Sequence, residues 1–142
     1  MISILSASTV PCYLAQLREQ FELEWGAIDP FEGRHPDVVI PLPLLALDDQ
    51  NNLAGGLAFS SFLKPNKGEL GVWINALLIE PKYRRLGIAS QLIHAADVEA
   101  KGIGIMELFV YTDISDLYQK LGWHVIETAG ANSVLTKVLA NE

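Results

Sequence analysis

Residues 79–90, IEPKYRRLGIAS, decide the fold of this chain. A buried strand ends at the proline, a basic loop turns, and a pair of small residues opens a helix. The helix is predicted over residues 87–101, with Leu92, Ile93 and Ala96 on its buried side and Gln91, Asp97 and Glu99 facing water. The stretch therefore predicts a strand–loop–helix unit at the centre of an α/β domain.

The beginning of this helix has the properties of an anion site. Free backbone N–H groups and the positive end of the helix dipole face outward together, so a phosphate or pyrophosphate is the expected ligand. Gly87 has no Cβ to hold an anion away, and Ala89 keeps the surface low. Lys82, Arg84 and Arg85 supply three of the ten basic residues of a chain whose formal net charge is -7. We predict one small anion site on an otherwise acidic surface.

Outward from this unit, apolar patterns and turn residues define the other elements. Strands are predicted over residues 1–5, 44–47, 53–63, 69–79, 106–111, 124–127 and 133–139, and further helices over residues 12–25 and 115–121. Gly55 and Gly56 are adjacent inside a strand and predict a bulge. This order predicts a single mixed α/β domain over residues 1–142.

The composition excludes several classes of protein. Half of the 142 residues are hydrophobic and 19% are charged, which is typical of a globular domain. An acidic chain lacks the clustered Lys and Arg that nucleic acids require. Cys12 is the only cysteine, so an internal disulfide and a cysteine metal site are both excluded, and no metal is expected. Without a signal-like N-terminus or an apolar run long enough to span a bilayer, we predict a cytoplasmic protein that binds neither membrane nor nucleic acid.

Residues 84–89, RRLGIA, match the R/Q-x-x-G-x-G/A signature of the GCN5-related N-acetyltransferase (GNAT) superfamily. The resemblance implies a mixed, mostly antiparallel sheet flanked by helices, with acetyl-CoA as cosubstrate. In that family this loop binds the cofactor pyrophosphate, which implies contacts from Arg84, Arg85, Leu86, Gly87, Ile88, Ala89 and Ser90. Residues 77–81 resemble the family's fourth strand, whose backbone pairs with the pantetheine arm. Leu77, Leu78 and Ile79 are therefore the further cofactor-binding residues that the resemblance implies.

Residues 117–123, LYQKLGW, are similar to the family's LYxxLGF/W element. The tyrosine of that element commonly protonates the departing CoA thiolate, so Tyr118 is the candidate general acid. Many members also carry an Asn in the preceding loop, where it contacts the cofactor. Here residues 111–115 contain none, and Thr112 and Ser115 are the alternatives.

The residue that accepts the proton of the attacking amine is not assigned by the sequence. In some members a Glu on the fourth strand serves, but the corresponding position here is Trp73. The substitutes are Glu69, Glu80, Asp48 and Glu24, or a water chain that ends at a main-chain carbonyl.

The N-terminal third carries an acidic cluster that bears on the acceptor. It comprises Glu22, Glu24, Asp29, Glu32 and Asp37, with Trp25 and Phe31 among them. Such a cluster either holds a cationic or aromatic amine or forms a solvated helix face.

Three functions are open at this point. The resemblance implies direct acetyl transfer to a primary amine of a small molecule or a protein, and a homodimer is possible. The alternative is a non-catalytic acyl-CoA-binding or sensor module on the same fold. An ATP-binding regulatory domain is disfavoured because no Lys–Ser pair follows the glycine.

Overall fold

The computed structural model describes residues 1–25, 38–65 and 68–139. Its strands are β1 (Ser3–Ser6), β2 (Leu44–Leu47), β3 (Leu53–Leu63), β4 (Leu70–Ile79), β5 (Glu107–Thr112), β6 (His124–Ala129) and β7 (Asn132–Val138). Its α-helices are α1 (Leu14–Trp25), α2 (Ile88–Gly102) and α3 (Ser115–Lys120). Each predicted strand and helix is confirmed, with its ends within about two residues of the prediction.

The seven strands form one sheet in the order β1-β2-β3-β4-β5-β7-β6. Every neighbouring pair is antiparallel except β4 and β5, which are parallel and are joined through α2. The mixed, mostly antiparallel sheet flanked by helices is therefore confirmed. Among the described helices, none has the length and apolar character needed to cross a membrane.

Strands β4 and β5 pair over a short stretch only. Their register runs from Val72 opposite Leu108 to Ile74 opposite Val110. Beyond these residues a cleft separates the strands, lined by residues 74–77 on one side and 110–114 on the other. Within the described residues, no strand pairs with β4 across this gap.

The bulge that opens this gap lies in β4. Ala58 pairs with Ala76 while Phe59 pairs with Ile74, so Asn75 is an extra residue in the strand. An added residue bends a strand and increases its twist. We infer that this bend directs the second half of β4 away from β5.

The bulge predicted at Gly55 and Gly56 is not found at these residues. Both glycines keep regular pairing with β4, opposite Ile79 and Leu78, and the irregularity against β2 falls at Ala54, which pairs with no β2 residue. Close packing explains the glycines instead. A Cβ on Gly55 would lie 2.3 Å from the carbonyl oxygen of Leu78, and one on Gly56 would lie 2.5 Å from the Leu17 side chain.

Two apolar layers sandwich the sheet. Helix α2 packs against one face, where Leu92, Ile93 and Ala96 belong to the larger cluster of buried residues. Helix α1 covers the other face through Leu17 and Phe21. The buried stripe predicted for α2 is therefore confirmed, and both clusters anchor the strands that flank the gap.

Asp97 departs from the prediction that it faces water, since it is only 7% exposed. The Lys137 ammonium lies 2.7 Å from Asp97 Oδ2 and also donates to the carbonyl oxygen of Leu121 at 2.8 Å. This pair ties α2, β7 and the end of α3 together. Burial raises the pKa of Asp97, and the hydrogen bond from Lys137 opposes that shift.

We predict that Lys137→Met lowers the free energy of unfolding by about 2 kcal/mol at neutral pH, because it leaves a buried carboxylate unpaired. Lys137 lowers the pKa of Asp97, so its removal raises that pKa further and the variant takes up the Asp97 proton at a higher pH than the wild type; the deficit should therefore shrink as the pH falls into the acid range. Urea unfolding at several pH values measures both effects. Replacing both partners, as Asp97→Leu with Lys137→Met, should restore at least half of the loss. A deficit that is the same at every pH would contradict this account.

Candidate functional site

A groove of about 720 Å³ lies where β4, the basic loop and α2 meet. Nine of the ten predicted cofactor-binding residues line it: Leu77, Leu78, Ile79, Arg84, Arg85, Gly87, Ile88, Ala89 and Ser90. The tenth, Leu86, is outside the lining, and its side chain is 62% exposed. Glu24 and Trp25 at the end of α1, Tyr83 in the basic loop, and residues 113, 114 and 117 complete the wall. We call this the cofactor groove.

The basic loop places helix amides and one free guanidinium at the mouth of the cofactor groove. Gly87 has a φ of 79° and precedes α2 without a side-chain cap, so the first-turn amides of residues 88–90 have no partner within the helix. Arg84 Nε donates to the carbonyl oxygen of Ile79 at 2.9 Å and braces the loop. The Arg85 guanidinium makes no hydrogen bond or ion pair with any described residue. It is therefore free to meet an anion at the helix start.

A hydrogen bond fixes the base of the loop to the neighbouring hairpin. The Tyr83 hydroxyl donates to Asp48 Oδ2 at 2.5 Å, and the same carboxylate accepts from the amides of Gln50 and Asn52. The Tyr83 bond, followed by those of the turn, lowers the pKa of Asp48 to about 2. Because its pKa is lowered, the Asp48 carboxylate stays charged in the pH range in which an ordinary aspartate takes up a proton. Its charge is lost only as the pH falls through about 2. The loop is thus held in place throughout the neutral range.

We predict that Tyr83→Phe weakens acetyl-CoA binding by about 3- to 10-fold, because it removes the bond that holds the loop while keeping the ring that lines the groove. Calorimetric titration measures the change. Tyr13→Phe is the matched control, since the Tyr13 hydroxyl donates to the carbonyl oxygen of Asn51 in the same hairpin turn but lies outside the groove lining. Equal effects of the two changes would show that the hairpin turn, not the loop contact, matters.

A second cleft, of about 360 Å³, occupies the gap between β4 and β5. It is lined by Trp25, residues 74–77 and 110–114, Tyr118 and Asn132. Because Trp25, Leu77, Asp113 and Ile114 line both cavities, the second cleft continues the cofactor groove. We call it the acceptor cleft.

Tyr118 lies deep in the acceptor cleft, and only 2% of its surface is exposed to solvent. It belongs to α3, and its ring packs edge-on against Trp123 with 5.2 Å between ring centroids. Burial raises the pKa of Tyr118 above its ordinary value. The Tyr118 hydroxyl is therefore protonated at neutral pH, so it can act as a proton donor but not as a general base.

Residues 43–125, more than half of the chain, match the family model described as an acetyltransferase (GNAT) domain. The chain belongs to the GNAT acetyltransferase family. Solved structures of similar fold accompany this match, whereas no curated protein matches the chain. A putative acetyl transferase from Pyrococcus furiosus has a TM-score of 0.68 at 16% identity, with 91% of this chain and 97% of that chain covered. The GNAT fold is thereby confirmed.

Two further structures show the range of proteins that share the fold. Arabidopsis thaliana Naa50, in complex with the bisubstrate analogue CoA-Ac-MVNAL, has a TM-score of 0.67 at 17% identity and covers 96% of this chain and 97% of its own. N-acetylglutamate synthase from Neisseria gonorrhoeae, complexed with coenzyme A and N-acetyl-glutamate, has a TM-score of 0.63 at 19% identity. The GNAT chain described here covers 36% of that synthase chain, against 99% of its own length.

Most of the residues predicted as candidate bases in this GNAT protein line neither the cofactor groove nor the acceptor cleft. Trp73 lies away from the acceptor cleft, donating from Nε1 to the carbonyl oxygen of Phe62 at 3.2 Å. Glu69 is paired with Lys64 near the start of β4, at the opposite end of that strand from the groove. Asp48 and Glu80 line neither cavity, so Glu24, in the cofactor groove, is the candidate that remains beside the site.

The predicted acidic cluster is only partly described. Glu22 is exposed and lines neither cavity, whereas Glu24 and Trp25 reach the cofactor groove. Asp29, Phe31, Glu32 and Asp37 lie outside the described residues. Among the described residues, no group of three or more His, Cys, Asp or Glu is arranged to hold a metal ion.

Sequence reasoning missed four polar or aromatic residues of the acceptor cleft. They are Asn75, Tyr111, Asp113 and Asn132. Asn75 lies at the bulge and Asn132 begins β7, so neither belongs to a recognisable motif. Of the residues suggested for the loop contact, Thr112 lines the acceptor cleft and Ser115 lines neither cavity, whereas Asp113 lines both.

Proposed function

We propose that this GNAT protein is an N-acetyltransferase that transfers the acetyl group of acetyl-CoA directly to a primary amine of a small molecule or a protein. The observation that carries the proposal is the continuity of two cavities. One opens at an uncapped helix start beside a free arginine, and the other contains a buried, protonated tyrosine. A thioester cofactor and an amine acceptor need such a meeting point.

The cofactor groove suits the chemistry of coenzyme A along its length. The amides of residues 88–90 and the Arg85 guanidinium would receive the pyrophosphate. Leu77, Leu78 and Ile79 line the cofactor groove, and their backbone groups that do not bond to β3 would pair with the amides of the pantetheine arm. This placement directs the acetyl end towards the acceptor cleft, where a β4 amide can act as an oxyanion donor.

The proposed reaction is a single displacement at the thioester carbonyl. The nitrogen of a neutral amine forms the new C–N bond, and the C–S bond breaks. The departing thiolate takes the proton of the Tyr118 hydroxyl, which lines the acceptor cleft and is protonated at neutral pH. The amine loses one proton to water or to Glu24, the carboxylate at the edge of the cofactor groove.

A non-catalytic acyl-CoA-binding module is the second candidate, and the tryptophan at position 73 of β4 favours it. Such a protein would bind acetyl-CoA without releasing the thiol when amines are added. Calorimetric titration with acetyl-CoA, CoA and ATP, followed by a thiol-release assay over a panel of amines, separates the candidates. Release that depends on an amine supports the transferase. Saturable binding without release supports the module, and no binding by folded protein contradicts both.

We also propose a cytoplasmic location and a homodimeric assembly. The composition favours the cytoplasm. A homodimer is compatible with β6, an edge strand whose residues are exposed along its length and include Val125 and Ile126. Light scattering of the purified protein measures the assembly directly.

A further inference from the structure

The acceptor cleft carries a charge that the reaction itself does not use. Of its described lining residues, Asp113 is the only one that is charged, and none is Lys or Arg. The Asp113 side chain is exposed and forms no hydrogen bond or ion pair within the described residues. By contrast, Asp48, Glu69 and Asp97 each have a partner. An unpaired carboxylate in a cleft without cations is a site for a positive charge.

Besides the buried Tyr118, two exposed aromatic side chains line the cleft with this carboxylate. Trp25 is 42% exposed and Tyr111 is 59% exposed. Indole and phenol rings attract ammonium groups through their faces, and the attraction adds to that of a nearby carboxylate. The cleft therefore has two features that favour a cation and, among its described lining residues, no Lys or Arg that would pair with a carboxylate or phosphate.

The group that Asp113 attracts is different from the group that reacts. Attack on the thioester needs a neutral amine, whereas a nearby carboxylate stabilises the protonated form. Tyr118 is buried and Asp113 is exposed, so the two line different depths of the cleft. A volume of about 360 Å³ suits a small molecule rather than a folded partner.

We propose that the acceptor is a small diamine. One neutral amino group lies beside Tyr118 and forms the C–N bond, while a second, charged amino group pairs with Asp113 next to Trp25 and Tyr111. This inference rests on the proposed acetyl transfer and names its substrate class. The net charge of -7 adds a field that draws small cations to the molecule.

Three probes of the same carbon length test the proposal: 1,4-diaminobutane, 1-aminobutane and 4-aminobutyrate. They differ only in a cationic, neutral or anionic far end. With saturating acetyl-CoA, we expect kcat/KM of the purified chain to be at least about 10-fold higher for the diamine than for the monoamine, and lowest for the amino acid. Equal turnover of diamine and monoamine, or preference for 4-aminobutyrate, would overturn the proposal. Faster acetylation of a peptide α-amino group than of the diamine would also overturn it.

Asp113→Asn tests the residue. The change keeps the shape and removes the charge, so kcat/KM for the diamine should fall at least about 10-fold while that for 1-aminobutane stays within about twofold. Asp116→Asn is the matched control, because Asp116 is exposed in the first turn of α3 and lines neither cavity. Since Asp113 also lines the cofactor groove, calorimetry with acetyl-CoA must show unchanged affinity.

The possible failures are distinguishable. An equal fall for both amines in Asp113→Asn would contradict the assignment of Asp113, although acetyl transfer itself would stand. Binding of acetyl-CoA without transfer to any amine would contradict the proposed transferase, and the inference would fall with it.

Discussion

Gly87→Glu should weaken acetyl-CoA binding by at least about 100-fold. The new carboxylate would stand at the uncapped start of α2, where the pyrophosphate is proposed to bind, and like charges in one site repel strongly. The fold should persist, because a Cβ on Gly87 meets no atom within 4 Å. The left-handed φ of 79° costs a non-glycine residue about 1 kcal/mol, which a folded domain tolerates.

Calorimetric titration of the variant with acetyl-CoA measures this loss. Gly104→Glu is the matched control, since Gly104 has a φ of 88°, open space around its Cβ and no place in the groove lining. Backbone strain and added charge are thus the same in both variants. Normal binding by Gly87→Glu would show that the anion site lies elsewhere on the molecule.

Tyr118→Phe should lower kcat by about 100-fold and leave the Kd of acetyl-CoA within about twofold. The hydroxyl is the proposed proton donor to the thiolate, and a positioned general acid contributes 10²- to 10⁴-fold. Phenylalanine keeps the edge-on packing against Trp123, so the variant should fold. The tyrosine lines the acceptor cleft but not the cofactor groove, which is why affinity should be spared.

Steady-state rates at saturating acetyl-CoA, together with calorimetry, separate these effects. Tyr111→Phe provides the comparison, because it removes another tyrosine hydroxyl from the same cleft at a position that is 59% exposed. An undiminished kcat in Tyr118→Phe would remove this residue from the mechanism. A matching fall in Tyr111→Phe would assign the effect to the polarity of the cleft.

The strands, the helices and the basic loop could be predicted because their causes are local. Apolar periodicity defines α2, and the proline and glycine that flank the basic loop mark its ends. Ten of the fifteen described residues that line the cofactor groove lie within positions 77–90, around that loop. The family motifs therefore predict most of the residues that line that groove.

The acceptor cleft could not be predicted in the same way, because distant segments build it. Trp25 comes from α1, Asn75 from a bulge in β4 and Asn132 from the final hairpin. The prediction that Asp97 faces water was wrong for a similar reason. The residue that pairs with its buried carboxylate is Lys137, 40 positions away in the sequence. The spacing of apolar residues along a helix gives no information about a counter-ion that another strand or helix supplies.

The short pairing of β4 and β5 has a consequence for how this fold can change. Three residue pairs hold the two halves of the sheet together, and the next rungs of the ladder are missing. Removing the extra residue at Asn75 would let the strands run on side by side, and the closed sheet would gain backbone hydrogen bonds. It would also lose the gap in which thioester and amine are proposed to meet. We therefore expect that a change which extends the pairing of β4 and β5 makes the sheet more rigid and lowers the proposed activity.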